Sequence, residues 1–224
     1  MPQTEEDKKQ AELGREHVIA LIFGLLGVIQ GLAFTHLADK MAKSSLISDL
    51  GSLKFRSEIF ANFVYFIVCF LIVARVFQTY ACGAVSYSRS RLETFELYAI
   101  FLAGLLQYYI FEAISEKGDV DAPVLFLRVM LLGILALALH ANITRLEKKK
   151  NFNVKVQFWN MSLSGVIVVI CAAARFLPMD FVQDDYFRLA AALIVCVCLF
   201  LMTRNSLNNT DFGAPPEVFD TRVE

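Results

Sequence analysis

Six apolar blocks run along the chain, each close to the length a helix needs to cross a bilayer. They cover about residues 18–38, 59–80, 95–115, 122–143, 156–177 and 186–203. Crossing about 30 Å of hydrocarbon takes roughly 20 helical residues at about 1.5 Å each. No water is present there to satisfy backbone N–H and C=O groups. A spanning segment must close its own hydrogen bonds as a helix or pair within a sealed barrel. Barrel strands are shorter and alternate apolar with polar residues, whereas these blocks are continuous. The expected fold is an all-α integral membrane protein, a bundle of about six transmembrane helices.

Composition agrees. Hydrophobic residues make up 57% of the chain and charged residues 19%, against about 45–50% and about 25% in soluble domains. Most of the charges fall in the gaps between blocks. The net charge of −1 offers no global field for nucleic acid, and the lipid bilayer is the expected partner.

Orientation follows from Lys and Arg in the short connections, which concentrate on the cytoplasmic side. Lys8, Lys9, Arg15, Arg89, Arg91, Arg145, Lys148, Lys149, Lys150, Lys155, Arg204 and Arg222 share one side if there are six spans. Lys40, Lys43, Lys54, Arg56 and Lys117 take the other. The imbalance predicts both termini in the cytoplasm (N-in/C-in), in a cell membrane. The expected domains are a cytoplasmic segment 1–16, a six-helix domain 17–204 and a flexible cytoplasmic tail 205–224. No small-residue cleavage site closes the first block, so it reads as a retained span. Leu46, Ile47, Leu50, Leu53 and Phe55 suit an interfacial helix in the first loop.

Three groups of residues stand out. In the first block, Ala20, Gly24, Gly27, Gly31 and Thr35 recur at steps of three and four and share one helix stripe. Small residues let helix backbones approach closely in lipid, where tails remove the hydrophobic drive between helices. The stripe serves packing within the chain, the simpler reading, or a subunit interface or pore lining. Gln30 lies beside it near mid-membrane. In the second group, Glu112, late in the third block, and Arg128, early in the fourth, are expected to pair across a short hairpin, because intramembrane charges usually pair. Gln107, Ser162 and Ser164 are further intramembrane polar groups, and His36, Arg175 and Arg188 lie near span ends. The third group lies near the cytoplasmic ends. It comprises Arg75, Gln78, His140, Asn142 and Asn160, together with the basic face Arg145, Lys148, Lys149, Lys150 and Lys155. That face suits topology determination or anionic headgroups.

Catalytic signatures are missing. There is no phosphate-loop motif and no His-Glu-x-x-His. There is no nucleophile elbow and no pair of carboxylates for acid–base work within the blocks. The histidines do not pair for haem ligation. Cys196 and Cys198 point to different sides of a helix and suit neither a metal site nor a disulfide. No enzyme activity and no cofactor are expected. The leading expectation is a small homo-oligomeric channel or transporter for an ion or small solute. The alternative is a non-enzymatic membrane subunit or effector that docks a soluble cytoplasmic protein. An enzyme acting on lipid through Arg75, His140 and Asn160 ranks last.

Overall fold

The computed structural model describes residues 5–44, 57–87, 94–115, 119–147, 154–176 and 185–209. Each apolar block forms one helix. In chain order these are α1 (Glu5–Lys43), α2 (Ser57–Tyr87), α3 (Thr94–Phe111), α4 (Ala122–Glu147), α5 (Val154–Phe176) and α6 (Asp185–Asn209). Among the described residues there is no strand beyond one isolated bridge, Ile114 with Val120. Four helices contain spans long and apolar enough to cross a membrane: Ile59–Thr79, Ala122–Asn142, Lys155–Phe176 and Tyr186–Asn208. The described apolar stretch of α3, Phe101–Phe111, is shorter.

Helix boundaries depart from the apolar blocks where local chemistry intervenes. α1 has 39 residues, about 58 Å at helical rise, and continues well beyond its apolar block on the N-terminal side. α3 stops at Phe111, short of the expected end at Ser115. There the chain tightens, with Ala113 N–H donating to Ile110 C=O and Ile114 N–H to Phe111 C=O. Ser115 N–H then reaches Asp119 C=O, and Asp121 N–H reaches Ala113 C=O, so the connection folds back on itself. Asp121 starts α4 as an N-cap. Its carboxylate accepts the Val124 N–H at 3.1 Å, satisfying one of the orphan donors at a helix start.

Residues 205–209 are helical, which corrects the expectation of a flexible tail from 205. Asn205 and Ser206 are anchored by side-chain bonds described below. The rest of that expected tail, the interfacial segment around Leu50, and Lys148–Lys150 lie outside the described residues.

Helix neighbours form a ring in the order α1, α2, α6, α5, α4, α3. α2 and α3 also touch sparingly across it, and Tyr65 of α2 packs edge-on against Phe126 of α4, 6.1 Å between ring centroids. The ring thus divides into a packed trio, α1 with α2 and α3, and a five-helix ring of α2, α6, α5, α4 and α3. α2 belongs to both, and half of its span is buried, more than in the other three long apolar spans. Val64, Tyr65, Phe66, Val68, Cys69 and Ile72 are buried almost consecutively along it. In lipid such packing acts through van der Waals contact rather than water exclusion.

The α4–α5 pair makes the most extensive contact, and Gly133 lies in it. A Cβ at Gly133 would stand 2.9 Å from Val168 Cγ2. By contrast, a Cβ at Gly24, Gly27 or Gly31 would meet nothing within 4 Å. Gly133→Ala is therefore expected to destabilise the chain by about 1–3 kcal/mol through overpacking. Gly27→Ala is expected to leave the stability of the monomer unchanged. Unfolding in detergent micelles followed by circular dichroism measures both; equal stability of Gly133→Ala and wild type would contradict the close approach.

Candidate functional site

The bundle has two ends. The end carrying the α6 C-terminus is termed the lower end; the α3–α4 connection marks the upper end. The lower end collects the polar groups. α2 and α6 arrive there together, because the late residues of both are bonded to each other, while α5 starts there. Arg75 is buried, and its Nη1 donates to Gln78 Oε1 at 2.7 Å and to Ser206 Oγ at 2.9 Å. Gln78 Nε2 donates to Thr203 C=O at 2.7 Å. Asn160 on α5 donates to Ser206 Oγ at 3.0 Å and accepts from Asn205 Nδ2 at 3.1 Å. Ser164, one turn along, donates to Asn160 C=O at 2.9 Å. Ser206 is thus the shared partner of the guanidinium on α2 and the carboxamide on α5. His140 at the end of α4 is bonded through Nδ1 to Gln157 Oε1 on α5 at 2.8 Å.

Above this network, inside the five-helix ring, lies a cavity of about 70 Å³. A single water needs about 10–15 Å³ measured this way. Its walls are mostly apolar: Ile72 and Val76 of α2, Ala99 and Ala103 of α3, Leu132 and Ala136 of α4. Ile167 of α5 and Leu199 of α6 complete the wall. Arg75, Thr79 and His140 line the same cavity. By helix direction they sit at its lower end, and Val129 and Ile167 at its upper end. Apart from Arg75, Thr79, His140 and Ser164, the lining is apolar.

The upper end holds a second cluster, and it corrects the expected Glu112–Arg128 pair. Glu112 Oε1 lies 2.8 Å from His36 Nε2, and Oε2 lies 3.7 Å from Lys40 Nζ. Lys40 also donates to Ile114 C=O at 3.0 Å, and the His36 ring stacks on Tyr108 at 4.2 Å. Arg128 instead donates to Tyr109 C=O at 2.6 Å and lies over the Tyr109 ring, 3.9 Å from its centroid. The physical reason is lateral: α1 runs parallel to α3 and brings two basic groups, one turn apart, to the carboxylate. The guanidinium finds a carbonyl and an aromatic face within the hairpin.

The remaining expected residues are dispersed. Ala20, Gly24, Gly27, Gly31 and Thr35 are all exposed. This corrects the simpler reading of the stripe, since nothing in the described chain packs on Gly24, Gly27 or Gly31. Thr35 Oγ1 turns back to Gly31 C=O at 2.8 Å. Gln30 is buried, and neither amide atom has a hydrogen-bond partner among the described residues. Gln107 is buried with its Nε2 3.4 Å from Ala103 C=O. Ser162 is exposed and bonded to Phe158 C=O. Of Gln30, Gln107, Ser162 and Ser164, only Ser164 lines the cavity. Lys155 is exposed in the first turn of α5 and Arg145 lies in the last turn of α4. Cys69, Cys171, Cys196 and Cys198 are free thiols.

Sequence reasoning singled out Arg75, His140 and Asn160 but missed Thr203, Asn205 and Ser206 as their partners. The available signal was polar spacing at the end of the sixth block, where Thr203 and Ser206 are three residues apart and share a helix face. Comparison with known protein families, curated proteins and solved structures finds no match for this chain.

Three outcomes check these arrangements. Asn160→Ala removes partners of both Asn205 and Ser206 and is expected to destabilise the fold by about 1–3 kcal/mol. A double-mutant cycle with Ser206→Ala should yield a coupling of about 0.6 kcal/mol or more, as for interhelical bonds in lipid. In the upper cluster, cycles in detergent should show coupling between Glu112 and His36 and none between Glu112 and Arg128.

Proposed function

We propose that this chain is a six-span membrane protein of a cell membrane, with both termini in the cytoplasm, acting as an oligomeric carrier or pore subunit for a small solute. The observation that carries this reading is the mostly apolar cavity among α2 to α6, with the buried Arg75 among its lining residues. Ligand sites between the helices of bundles have this character, an apolar wall with few convergent polar groups. In the proposed orientation the lower end faces the cytoplasm. Arg145, in the last turn of α4, and Lys155, in the first turn of α5, lie at that end, and Lys148, Lys149 and Lys150 fall between them in the sequence. The outward stripe Gly24, Gly27 and Gly31 suits the seam with a second copy, because small residues admit a backbone there.

A second reading has its own observation. α1 spans about 58 Å, nearly twice the hydrocarbon thickness, so its N-terminal part extends beyond the bilayer. That arm and the basic face suit docking of a soluble cytoplasmic protein.

Reconstitution into liposomes tests the first reading. Stopped-flow light scattering with glycerol, urea, acetate and hexanoate should reveal at least one solute that crosses several-fold faster than in protein-free vesicles. Ala136→Leu, which fills the cavity, should return that rate to the protein-free value. Gly27→Leu with Gly31→Leu should reduce the particle size in detergent. Rates equal to protein-free vesicles across the panel would remove the transport reading.

A further inference from the structure

Each of the four polar side chains bordering the cavity already has a partner. Arg75 donates to Gln78 and Ser206, and His140 is bonded to Gln157. The Thr79 hydroxyl turns back to Arg75 C=O at 2.9 Å, and the Ser164 hydroxyl to Asn160 C=O at 2.9 Å. The rest of the surface is hydrocarbon, with Ile72, Ala103, Leu132, Ala136, Ile167 and Leu199 from all five helices. A cavity of that kind stays dry and takes apolar guests. A hydroxyl, amide or charge entering it would give up water without gaining a hydrogen bond. The empty state is itself unfavourable, because lining atoms that face a void lose their dispersion contacts.

Access and shape narrow the guest further. Below the cavity, the bonds among Arg75, Ser206 and Asn160 tie α2, α6 and α5 together. Above it, Tyr65 of α2 packs edge-on against Phe126 of α4, and both are buried. Both ends along the helix axes are therefore occupied, and the route left is sideways, from the hydrocarbon of the bilayer. α3 forms the thinnest wall: it touches α2 sparingly and brings only Ala99 and Ala103 to the space. Along α4 the lining runs from Val129 to Leu139, about 15 Å at helical rise. A volume of about 70 Å³ over that length is about half of the roughly 150 Å³ that holds a benzene ring. The bore suits one extended chain and is too narrow for a ring.

We propose that this cavity holds a single unbranched alkyl chain, which enters sideways from the bilayer and is selected by shape and apolarity, without contact to a headgroup. The inference rests on the same cavity as the transport reading and names the ligand class that the cavity selects. Two sources share this chemistry, the acyl tail of a surrounding lipid and a free hydrocarbon dissolved in the bilayer.

Photolabelling of the full chain in phosphatidylcholine nanodiscs tests it, with mass spectrometry mapping the labelled residues. One probe is a decyl diazirine; the other is a phosphatidylcholine carrying the diazirine near the end of one acyl tail. At least one probe should label lining residues such as Ala103, Ile167 and Met202, besides the exposed Leu105, Val169 and Phe200. Lining labels from the lipid probe assign the occupant to an acyl tail, and lining labels from the decyl probe alone assign it to a free hydrocarbon. Decane should displace the lining labels about tenfold more effectively than the bicyclic decalin, the scale of one overpacking clash. Ala136→Leu, which fills the cavity, should remove the lining labels and leave the exposed positions labelled as in wild type. If that variant fails to fold, the decane and decalin competition on the wild-type chain still decides. Labels confined to exposed positions, lining labels that persist in folded Ala136→Leu, or equal competition by decane and decalin would overturn the proposal. Lining labels in a chain that passes no solute would leave this site standing and remove the transport reading, while flux without lining labels would do the reverse.

Discussion

Burying a guanidinium among apolar helices is unfavourable unless its N–H groups find acceptors in fixed positions. Arg75 finds one on its own helix, Gln78, and one on α6, Ser206. Ser206 in turn accepts from Asn160 on α5. One hydroxyl therefore ties α2, α5 and α6 at a common depth. α4 joins through His140 and Gln157. Four helices are thus held in register at the lower end by directional bonds, while van der Waals contact alone would let them slide. The residues of α6 that satisfy the charge lie in its last described turns.

α2 and α4 meet toward their upper ends, where Tyr65 packs edge-on against Phe126 at 6.1 Å between centroids, and the cavity lies between them farther down. Gly133, which also lines the cavity, brings α4 close against α5. Small side chains at Ala99, Ala103 and Ala136 leave the interval unfilled. Its few polar lining residues fall toward one end because α2 and α4 both run downward and place Arg75, Thr79 and His140 near their lower ends.

At the upper end the constraint is weaker. Glu112 is partly exposed, at 44% of its side-chain surface, so its pairing with His36 and Lys40 contributes about 1 kcal/mol or less. It nevertheless orients α1 on α3, together with the stacking of His36 on Tyr108. Burial of Leu26, Ala33 and Leu37 along the inner side of α1 then turns the Gly24–Gly27–Gly31 stripe outward. Its outward position is a consequence of which face the buried leucines take.

The number of helices, their approximate extents and the polar character of one end were legible in the amino-acid sequence. All three depend on local quantities: the length of an apolar run, the backbone's need for internal hydrogen bonds, and the spacing of residues along a helix. Arg75, His140 and Asn160 stood out because polar groups in apolar blocks are rare. Their partners depended on which helix neighbours which, and one-dimensional spacing does not encode that. Glu112 illustrates the point. The hairpin suggested Arg128, nearest through the connecting loop, yet α1 supplies His36 and Lys40 from more than seventy residues away in sequence. The ring order, the outward stripe and the cavity likewise came from tertiary structure alone. Lateral packing in lipid is settled by the fit of whole helix faces, and no single residue carries that information.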